Sequence, residues 1–323
     1  MAYRKIKYYD FDLDLEPSKR WVKIFDVFEP KLKGIKIQLE KILNQYGPVV
    51  SIAAVIFDSV DKSHIMFHDE LTYVASRMGL PLYQIIILQL IYEMSAACTA
   101  AIFTVRKTEY FLRTMDWPMS FLKDITVGLN IKSGSKSVGQ VIGWVGCVGF
   151  FTTTTDTYVT AINYRRTTEL DTVSMIANAF RTIGMKWPIS YLVRSVLERQ
   201  ASVTDAINTF ETAELISPTY ITVYVMNPSP GIKSVIITRD ADQLVHTRTH
   251  DLLQTNCDFD KDVPDILWSS ERKELFGFVL AELNEQEISS KKIIMKSFLR
   301  APIVNSDTIY VYFRTGGKAV AIV

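Results

Sequence analysis

Residues 82–94 are apolar nearly all round, broken by Gln84, Gln89 and Glu93, and they run directly toward Cys98. A helix without a polar face has to be buried, so the rest of the chain is built against it. Beyond Cys98 the period changes from helical to alternating. Residues 99–105, 110–115, 125–131, 138–144 and 158–163 read as strands, with Ser133-Gly134-Ser135 as a hairpin turn. Helices follow at 171–183 and 188–199, the second with Pro188 at its first position. Ser202 and Asp205 read as the cap of a third. Strands return at 220–226, 234–239 and 243–249. Upstream, residues 30–44 set Leu32, Ile35, Ile37, Leu39, Ile42 and Leu43 among lysines and glutamates, close to a helical stripe. Residues 49–60 form an apolar run too short to span a bilayer. A core helix is the commoner outcome for such a run, and a helix lying on a membrane surface is the alternative. Strands, helices and strands with short connections predict an α+β fold of two antiparallel sheets between helical layers, an αββα sandwich.

No Pro/Gly/Ser linker, internal repeat or low-complexity tract divides the 323 residues, so one compact unit is expected. Lys+Arg 36 against Asp+Glu 35 leaves nothing to recommend nucleic acid as a partner. A hydrophobic share of 48% suits a large core together with an apolar surface for a greasy ligand. The first ten residues carry no apolar signal region, the cysteine count of 3 is odd, and no Asn-x-Ser/Thr acceptor occurs. These features predict a cytoplasmic protein. A lysosomal one whose signal has been removed is the alternative.

The chemistry centres on Cys98. A free thiol of pKa about 8.5 is mostly protonated at neutral pH, so an adjacent group must take its proton. The 4 histidines, His64, His68, His246 and His250, sit in segments that do not pair with a nucleophile. A cysteine that begins a chain carries its own base, because an α-amine has a pKa of about 7.7–8.0. Cys98 is internal, so this reading requires the Ala97–Cys98 bond to be cut, leaving 1–97 and 98–323 as two pieces of one body. Asp116, at the end of the second strand, would then hold the new amine. A flat strand puts Arg113 on the opposite face unless a twist or bulge re-aims it. From this hairpin alone, a buried structural cysteine beside an ordinary arginine and aspartate is the simpler reading.

Cys98-Thr99 followed by Arg113-Thr114-Met115-Asp116 resembles the start of the catalytic subunit in the acid ceramidase and N-acylethanolamine-hydrolysing acid amidase family. The likeness continues through Lys19-Arg20-Trp21-Val22, Leu80-Pro81-Leu82, Leu90-Ile91-Tyr92-Glu93, Gly143-Trp144-Val145-Gly146, Trp187 to Arg194, Ile236 to Asp240 and Gln254-Thr255-Asn256-Cys257-Asp258, with Arg272 downstream. The resemblance implies an N-terminal-nucleophile amidohydrolase that cuts itself before the cysteine and hydrolyses fatty amides. It implies Cys98 as nucleophile, Arg113 and Asp116 as its positioning residues, Asn256 as oxyanion donor and Arg272 as a distal support. It also implies 1–97 as a propeptide-derived helical α-subunit that stays bound and touches membranes, and 98–323 as the catalytic β-subunit. An amide donor aimed at a developing oxyanion is of the type whose loss costs on the order of 10²–10³ in rate.

Some positions depart from the family pattern. Where the lipid amidases show an acidic residue after a strand, this chain reads Ala161-Ile162-Asn163-Tyr164-Arg165, and Tyr164 resembles the tyrosine of penicillin V acylases. The hairpin loop at Arg106-Lys107-Thr108-Glu109 is one residue short, Cys257 replaces a tyrosine, and the family's extra cysteines are missing. Other candidates deflate. His64 and His68 have zinc spacing on a helix but no third ligand. His246 and His250 in a strand would stand about 13 Å apart. Gly143, Gly146 and Gly149 precede no Gly-Lys-Ser/Thr, so close sheet packing is the better reading. No cofactor or metal is expected. The expected substrate is a lipid amide, an N-acylethanolamine or a ceramide, met by Asn163, Tyr164 and an acyl channel lined by Trp144. Penicillin V or bile-salt acylase-like cleavage of smaller amides and a non-catalytic lipid-binding role are the alternatives.

Overall fold

The computed structural model describes residues 3–91, 96–165, 186–226, 228, 230–259 and 268–323. In chain order the elements are β1 (Tyr8–Asp12), α1 (Val22–Gln45), α2 (Gly47–Ser59), α3 (His68–Met78), α4 (Leu82–Leu90), β2 (Ala97–Val105), β3 (Thr108–Asp116), β4 (Thr126–Ser133), β5 (Lys136–Trp144), β6 (Thr152–Thr154) and β7 (Tyr158–Tyr164). They continue with α5 (Ile189–Glu198), α6 (Val203–Thr212), β8 (Thr219–Val225), β9 (Val235–Arg239), β10 (Leu244–Arg248), β11 (Leu253–Gln254), α7 (Ser269–Glu285), α8 (Lys291–Ser297), β12 (Thr308–Thr315) and β13 (Lys318–Ile322). The helix expected at 171–183 and the end of the one expected at 82–94 lie outside the described residues.

Two sheets stack face to face. One has 8 strands in the order β1-β4-β5-β6-β7-β8-β9-β10, the other 5 in the order β11-β2-β3-β12-β13. Every pairing is antiparallel except β1 with β4. Between the sheets Thr152 Oγ1 meets Tyr310 Oη at 2.8 Å, and Thr154 Oγ1 meets Tyr312 Oη at 2.9 Å. Phe103, Leu112 and Val311 pack outward from the smaller sheet against Phe276, Val279, Ile294 and Phe298 of α7 and α8. The other sheet carries α5 and α6 on its far side, Ser202 capping α6 by accepting from the Asp205 N–H as expected. This is the predicted αββα sandwich.

Several boundaries differ from expectation for physical reasons. The helix expected over 30–44 begins at Val22 and passes through Pro30. Buried Ile24 and Phe25 before the proline, and Leu32, Ile35 and Ile42 after it, hold both halves against the core. That packing outweighs a proline cost of about 3 kcal/mol. Pro188 is the residue before α5 rather than its first position. His64 closes a 3-10 turn and His68 opens α3, with Phe67 in the left-handed region between them, so the zinc spacing never falls on one helix. His250 lies beyond the end of β10. Gly146 and Gly149 do permit close approach, but to helices rather than within the sheet. A Cβ on Gly149 would lie 2.3 Å from Ser190 Oγ, and one on Gly146 would lie 3.0 Å from Phe25 Cζ, whereas Gly143 faces open space.

The N-terminal helices join the sandwich through a buried charge. Glu70 on α3 accepts from Arg20 Nη1 at 2.9 Å, Trp21 Nε1 at 2.9 Å, and Arg194 Nη1 at 2.8 Å and Nη2 at 2.5 Å. Arg194 sits on α5, and its guanidinium lies 4.2 Å from the Phe67 ring centroid and 5.1 Å from that of Phe150. Two family-like blocks far apart in sequence, Lys19 to Val22 and Trp187 to Arg194, therefore meet on one carboxylate. Removing one partner of a buried pair strands the others without a counter-charge. Glu70→Gln is expected to destabilise the protein by on the order of 3–5 kcal/mol, read by denaturant unfolding; a loss below about 1 kcal/mol would show that the pair is not what holds the helices.

Candidate active site

The residues expected to act converge on the start of β2. A two-residue turn, Arg106-Lys107, joins β2 to β3 with φ of 48° and 69°, as a type I′ hairpin requires. This turn sets the register in which Cys98 pairs with Met115, Ala100 with Arg113, and Ala97 with Asp116. Directly paired residues share a face, so Cys98, Met115 and Arg113 look into the space between the sheets. Asp116 looks the other way, toward α7. Arg113 does stand on the face opposite Asp116, as expected from a flat strand; what the register corrects is its relation to Cys98, whose face it shares.

Arg113 is fully buried and spans the sandwich, donating from Nη1 to Asn163 Oδ1 at 2.6 Å and from Nη2 to the Ile162 carbonyl at 2.6 Å. Asn163 returns across the gap, its Nδ2 donating to the carbonyls of Cys98, Gln254 and Thr255 at 3.3, 3.0 and 3.1 Å. Cys98 Sγ lies 3.7 Å from Met115 Sδ. Its backbone is gripped on both sides. Asn256 Oδ1 accepts from the Cys98 N–H at 2.8 Å, and Arg272 Nη1 donates to the Cys98 carbonyl at 2.6 Å and to Thr99 Oγ1 at 3.0 Å. Arg272 Nη2 also reaches Asn256 Oδ1 at 2.9 Å. Asn256 donates from Nδ2 to the Ala96 carbonyl at 3.0 Å and to the Tyr164 carbonyl at 2.8 Å, so both of its amide hydrogens are engaged in the uncut chain.

Asp116 is buried, with Arg272 Nη1 at 3.9 Å and the Thr114 hydroxyl donating at 3.3 Å. Burial pushes its carboxyl up to about 6, and the nearby arginines and hydroxyls only partly restrain the rise.

Residues to which the sequence assigned no role complete the surroundings. Arg165 grips Asp258 through Nε at 2.7 Å and Nη2 at 2.9 Å, and Asp240 through Nη1 at 2.5 Å, while the Tyr220 hydroxyl donates to Asp258 at 2.7 Å. This cluster pins the segment that carries Asn256. Asp240 and Asp258 lie inside the family-like blocks, which was the available signal, but their pairing with Arg165 and Tyr220 depends on distant segments meeting in space. Trp144 is buried, with its ring centroid 5.8 Å from that of Trp117 and 5.1 Å from that of Phe151. It lines an apolar pocket between the N-terminal helices and the sheet, together with Leu39, Met78, Ile85, Leu88 and Phe151. Tyr164 is buried at the end of β7. Among the described residues no group of three or more His, Cys, Asp and Glu side chains is placed to hold a metal.

A family model described as linear amide C–N hydrolases, choloylglycine hydrolase family, matches residues 98–265. The chain belongs to this family. It is an amidohydrolase. A second model, for the beta subunit of N-acylethanolamine-hydrolyzing acid amidase, matches residues 4–64. An uncharacterized protein of Acanthamoeba polyphaga mimivirus is 42% identical over 98% of both chains. Caenorhabditis elegans N-acylethanolamine-hydrolyzing acid amidase is 28% identical over 73% of this chain and 68% of its own. Human acid ceramidase is 24% identical over 73% of this chain, but the match spans only 64% of that relative. The solved structure of the C. elegans amidase ortholog superposes with a TM-score of 0.57 at 21% identity, covering 68% of this chain and 94% of that one. That likeness, together with the choloylglycine hydrolase match, shows a fold of the N-terminal-nucleophile hydrolase type; the two family models and these relatives put the chain in the acid ceramidase and N-acylethanolamine-hydrolysing acid amidase branch.

The raised Asp116 carboxyl has a consequence for stability. Its folded value of about 6 exceeds the ordinary 3.8, so the folded protein holds a proton that the unfolded chain releases between those limits. This contribution is complete below pH 3.8, fades as pH rises, and is gone above about 6. Unfolding free energy is expected to lose on the order of 2–3 kcal/mol across that window through this group. Asp116→Asn should flatten the curve by that amount; a variant curve parallel to wild type would show that Asp116 titrates normally.

Proposed function

We propose that this amidohydrolase uses Cys98 as an N-terminal nucleophile, exposed by self-cleavage at Ala97–Cys98, to hydrolyse a fatty-acyl amide of the N-acylethanolamine or ceramide type. The observation that carries the reading is the two-sided grip on the Cys98 backbone, by Asn256 on the N–H and by Arg272 and Asn163 on the carbonyl. The linear-amide family match also opens at Cys98 itself.

In the proposed self-cleavage Cys98 Sγ attacks the Ala97 carbonyl carbon. The Ala97–Cys98 C–N bond breaks, and the thiol proton ends on the departing Cys98 nitrogen. Water then hydrolyses the thioester, giving the Ala97 carboxylate and restoring the thiol beside a free amine. In turnover that amine takes the thiol proton and Sγ attacks the substrate's acyl carbon. The proton passes to the leaving amine, and water releases the fatty acid. Once Ala96 departs, the Asn256 hydrogen now spent on its carbonyl is available to the oxyanion, the donor type that preorganised sites use. The Trp144-lined pocket suits an acyl chain, consistent with the apolar character of acyl-binding sites. The Glu70–Arg194 contact supports a bound heterodimer of the two fragments. Tyr164 supports the second reading, cleavage of smaller amides in the manner of penicillin V acylases.

Intact mass before and after mildly acidic incubation tests the nucleophile. Wild type should yield two fragments meeting at Ala97/Cys98 and Cys98→Ala none; an uncut wild-type chain under every condition would transfer the protein to a lipid-binding role. Long-chain against phenoxyacetyl fluorogenic amides then separate the two substrate readings.

We also propose that the N-terminal helices touch a membrane surface. Ile52 and Val55 of α2 and Ile37 of α1 are exposed, and no single helix among the described residues is long and apolar enough to cross a bilayer. Val55→Asp should lower co-sedimentation with liposomes several-fold with circular dichroism unchanged, and equal partitioning of the two proteins would remove the surface contact.

A further inference from the structure

The pairing between β12 and β3 contains an irregularity beside the site. Tyr310 pairs with Met115, and the same register continued by one residue would set Ile309 against Asp116. Instead Thr308 pairs with Asp116, and Ile309 is the extra residue of the bulge. Bulges next to active sites re-aim side chains, and this one exchanges an alkyl group for a hydroxyl opposite the buried carboxylate.

The direction of the hydroxyl is settled by its other neighbour. Thr308 Oγ1 accepts from the Asn305 N–H at 2.9 Å, and Asn305 Oδ1 in turn accepts from the Asp307 N–H at 2.8 Å. The backbone donor occupies one of the oxygen's two lone pairs, and because an ionised carboxylate can only accept, the single hydroxyl proton points to Asp116 Oδ1, its close partner. The following strand end is tied as well, the Trp117 N–H donating to the Asp307 carbonyl at 2.8 Å. Asp116 Oδ2 is left on the side of Thr114 and Arg272.

We propose that Thr308 is a positioning residue for Asp116, delivered by the β12 bulge to hold one carboxylate oxygen so that the other is presented to Arg272 and the Cys98 backbone. This rests on Asp116 serving the Cys98 amine. The charged groups that bear on Asp116 are Arg272 of α7 and Arg113 of its own strand, and neither changes charge across the pH range concerned. A hydroxyl that donates to a carboxylate favours the charged form, so its loss moves the titration upward.

The test compares wild type, Thr308→Val and Thr308→Ser in the intact chain, measuring unfolding stability from pH 4 to 8 with Asp116→Asn as the reference without this titration. The upper edge of the Asp116-dependent window, about pH 6 in wild type, should move up by about one to two pH units in Thr308→Val, the size of a hydrogen bond to a charged group, while the lower edge stays at the unfolded value. Thr308→Ser should keep the wild-type window. If Thr308→Val does not fold, Thr308→Ala takes its place in the same measurement. A purely structural role would lower stability equally at every pH and leave the window where it was, which would overturn the proposal. Self-cleavage rates against pH provide the second reading, with any inflection expected to move with the window. Absence of cleavage in wild type would sink the proposed reaction, while the stability window would still decide the contact between Thr308 and Asp116.

Discussion

The site depends first on the antiparallel register of β2 and β3. With Val105 against Thr108 across a two-residue turn, the pairing runs back without a break to Cys98 against Met115 and Ala97 against Asp116. A slip of one residue would turn every side chain in the hairpin to the other face. Cys98 and Arg113 would then leave the space between the sheets, and Asp116 would lose Arg272 and Thr308. Neither turn residue is glycine, although both hold positive φ, and the tip is tied down from outside. Arg106 donates from its N–H to Asn284 Oδ1 at 3.3 Å and from Nη1 to the Glu287 carbonyl at 2.8 Å, at the end of α7. The helix that supplies Arg272 at its start thus braces the hairpin at its finish.

Three polar assemblies, largely buried, each cross from one element to another. Arg113 and Asn163 tie the two sheets together, Arg165 with Asp240 and Asp258 fixes the segment of Asn256, and Glu70 with Arg194 fastens the N-terminal helices. Buried charges are tolerable only when such partners are in place. Arg239 follows the same rule without a carboxylate, donating from Nη1 and Nη2 to the Phe210 and Ala213 carbonyls at 2.7 Å each around the end of α6. Cys98 sits among paired strands with its backbone held by three separate side chains, the kind of preorganisation that the proposed acyl transfer would require.

Much of this was legible beforehand because it is local. Alternation marked β2 to β5 and β7 to β10 within a few residues, Ser202 announced α6, and the all-apolar run marked α4. The site residues Cys98, Arg113, Asp116, Asn256 and Arg272 were named in advance, and the structure gathers them. Their faces were not legible. The opposite phase of Arg113 and Asp116 follows from their spacing, but which of the two shares a face with Cys98 is decided only by the register with β2. Equally illegible was that the Asn163 side chain bridges Arg113 to the strand of Cys98 and that the Tyr164 carbonyl accepts from Asn256.

Periodicity and capping, properties of neighbours along the chain, determined the layer order and the hairpin around Cys98, while the set Cys98, Arg113, Asp116, Asn256 and Arg272 came from the family resemblance of short ordered blocks. What only the tertiary structure decided is which of these groups share a face and what each one holds. Glu70 meets Arg194 across 124 positions, Cys98 meets Asn256 across 158, and Thr308 meets Asp116 across 192. Contacts at such separations arise from sheet register, a one-residue bulge and helices docking on sheets. No local pattern encodes those, because their energy is realised only when distant segments bury the same polar atoms together.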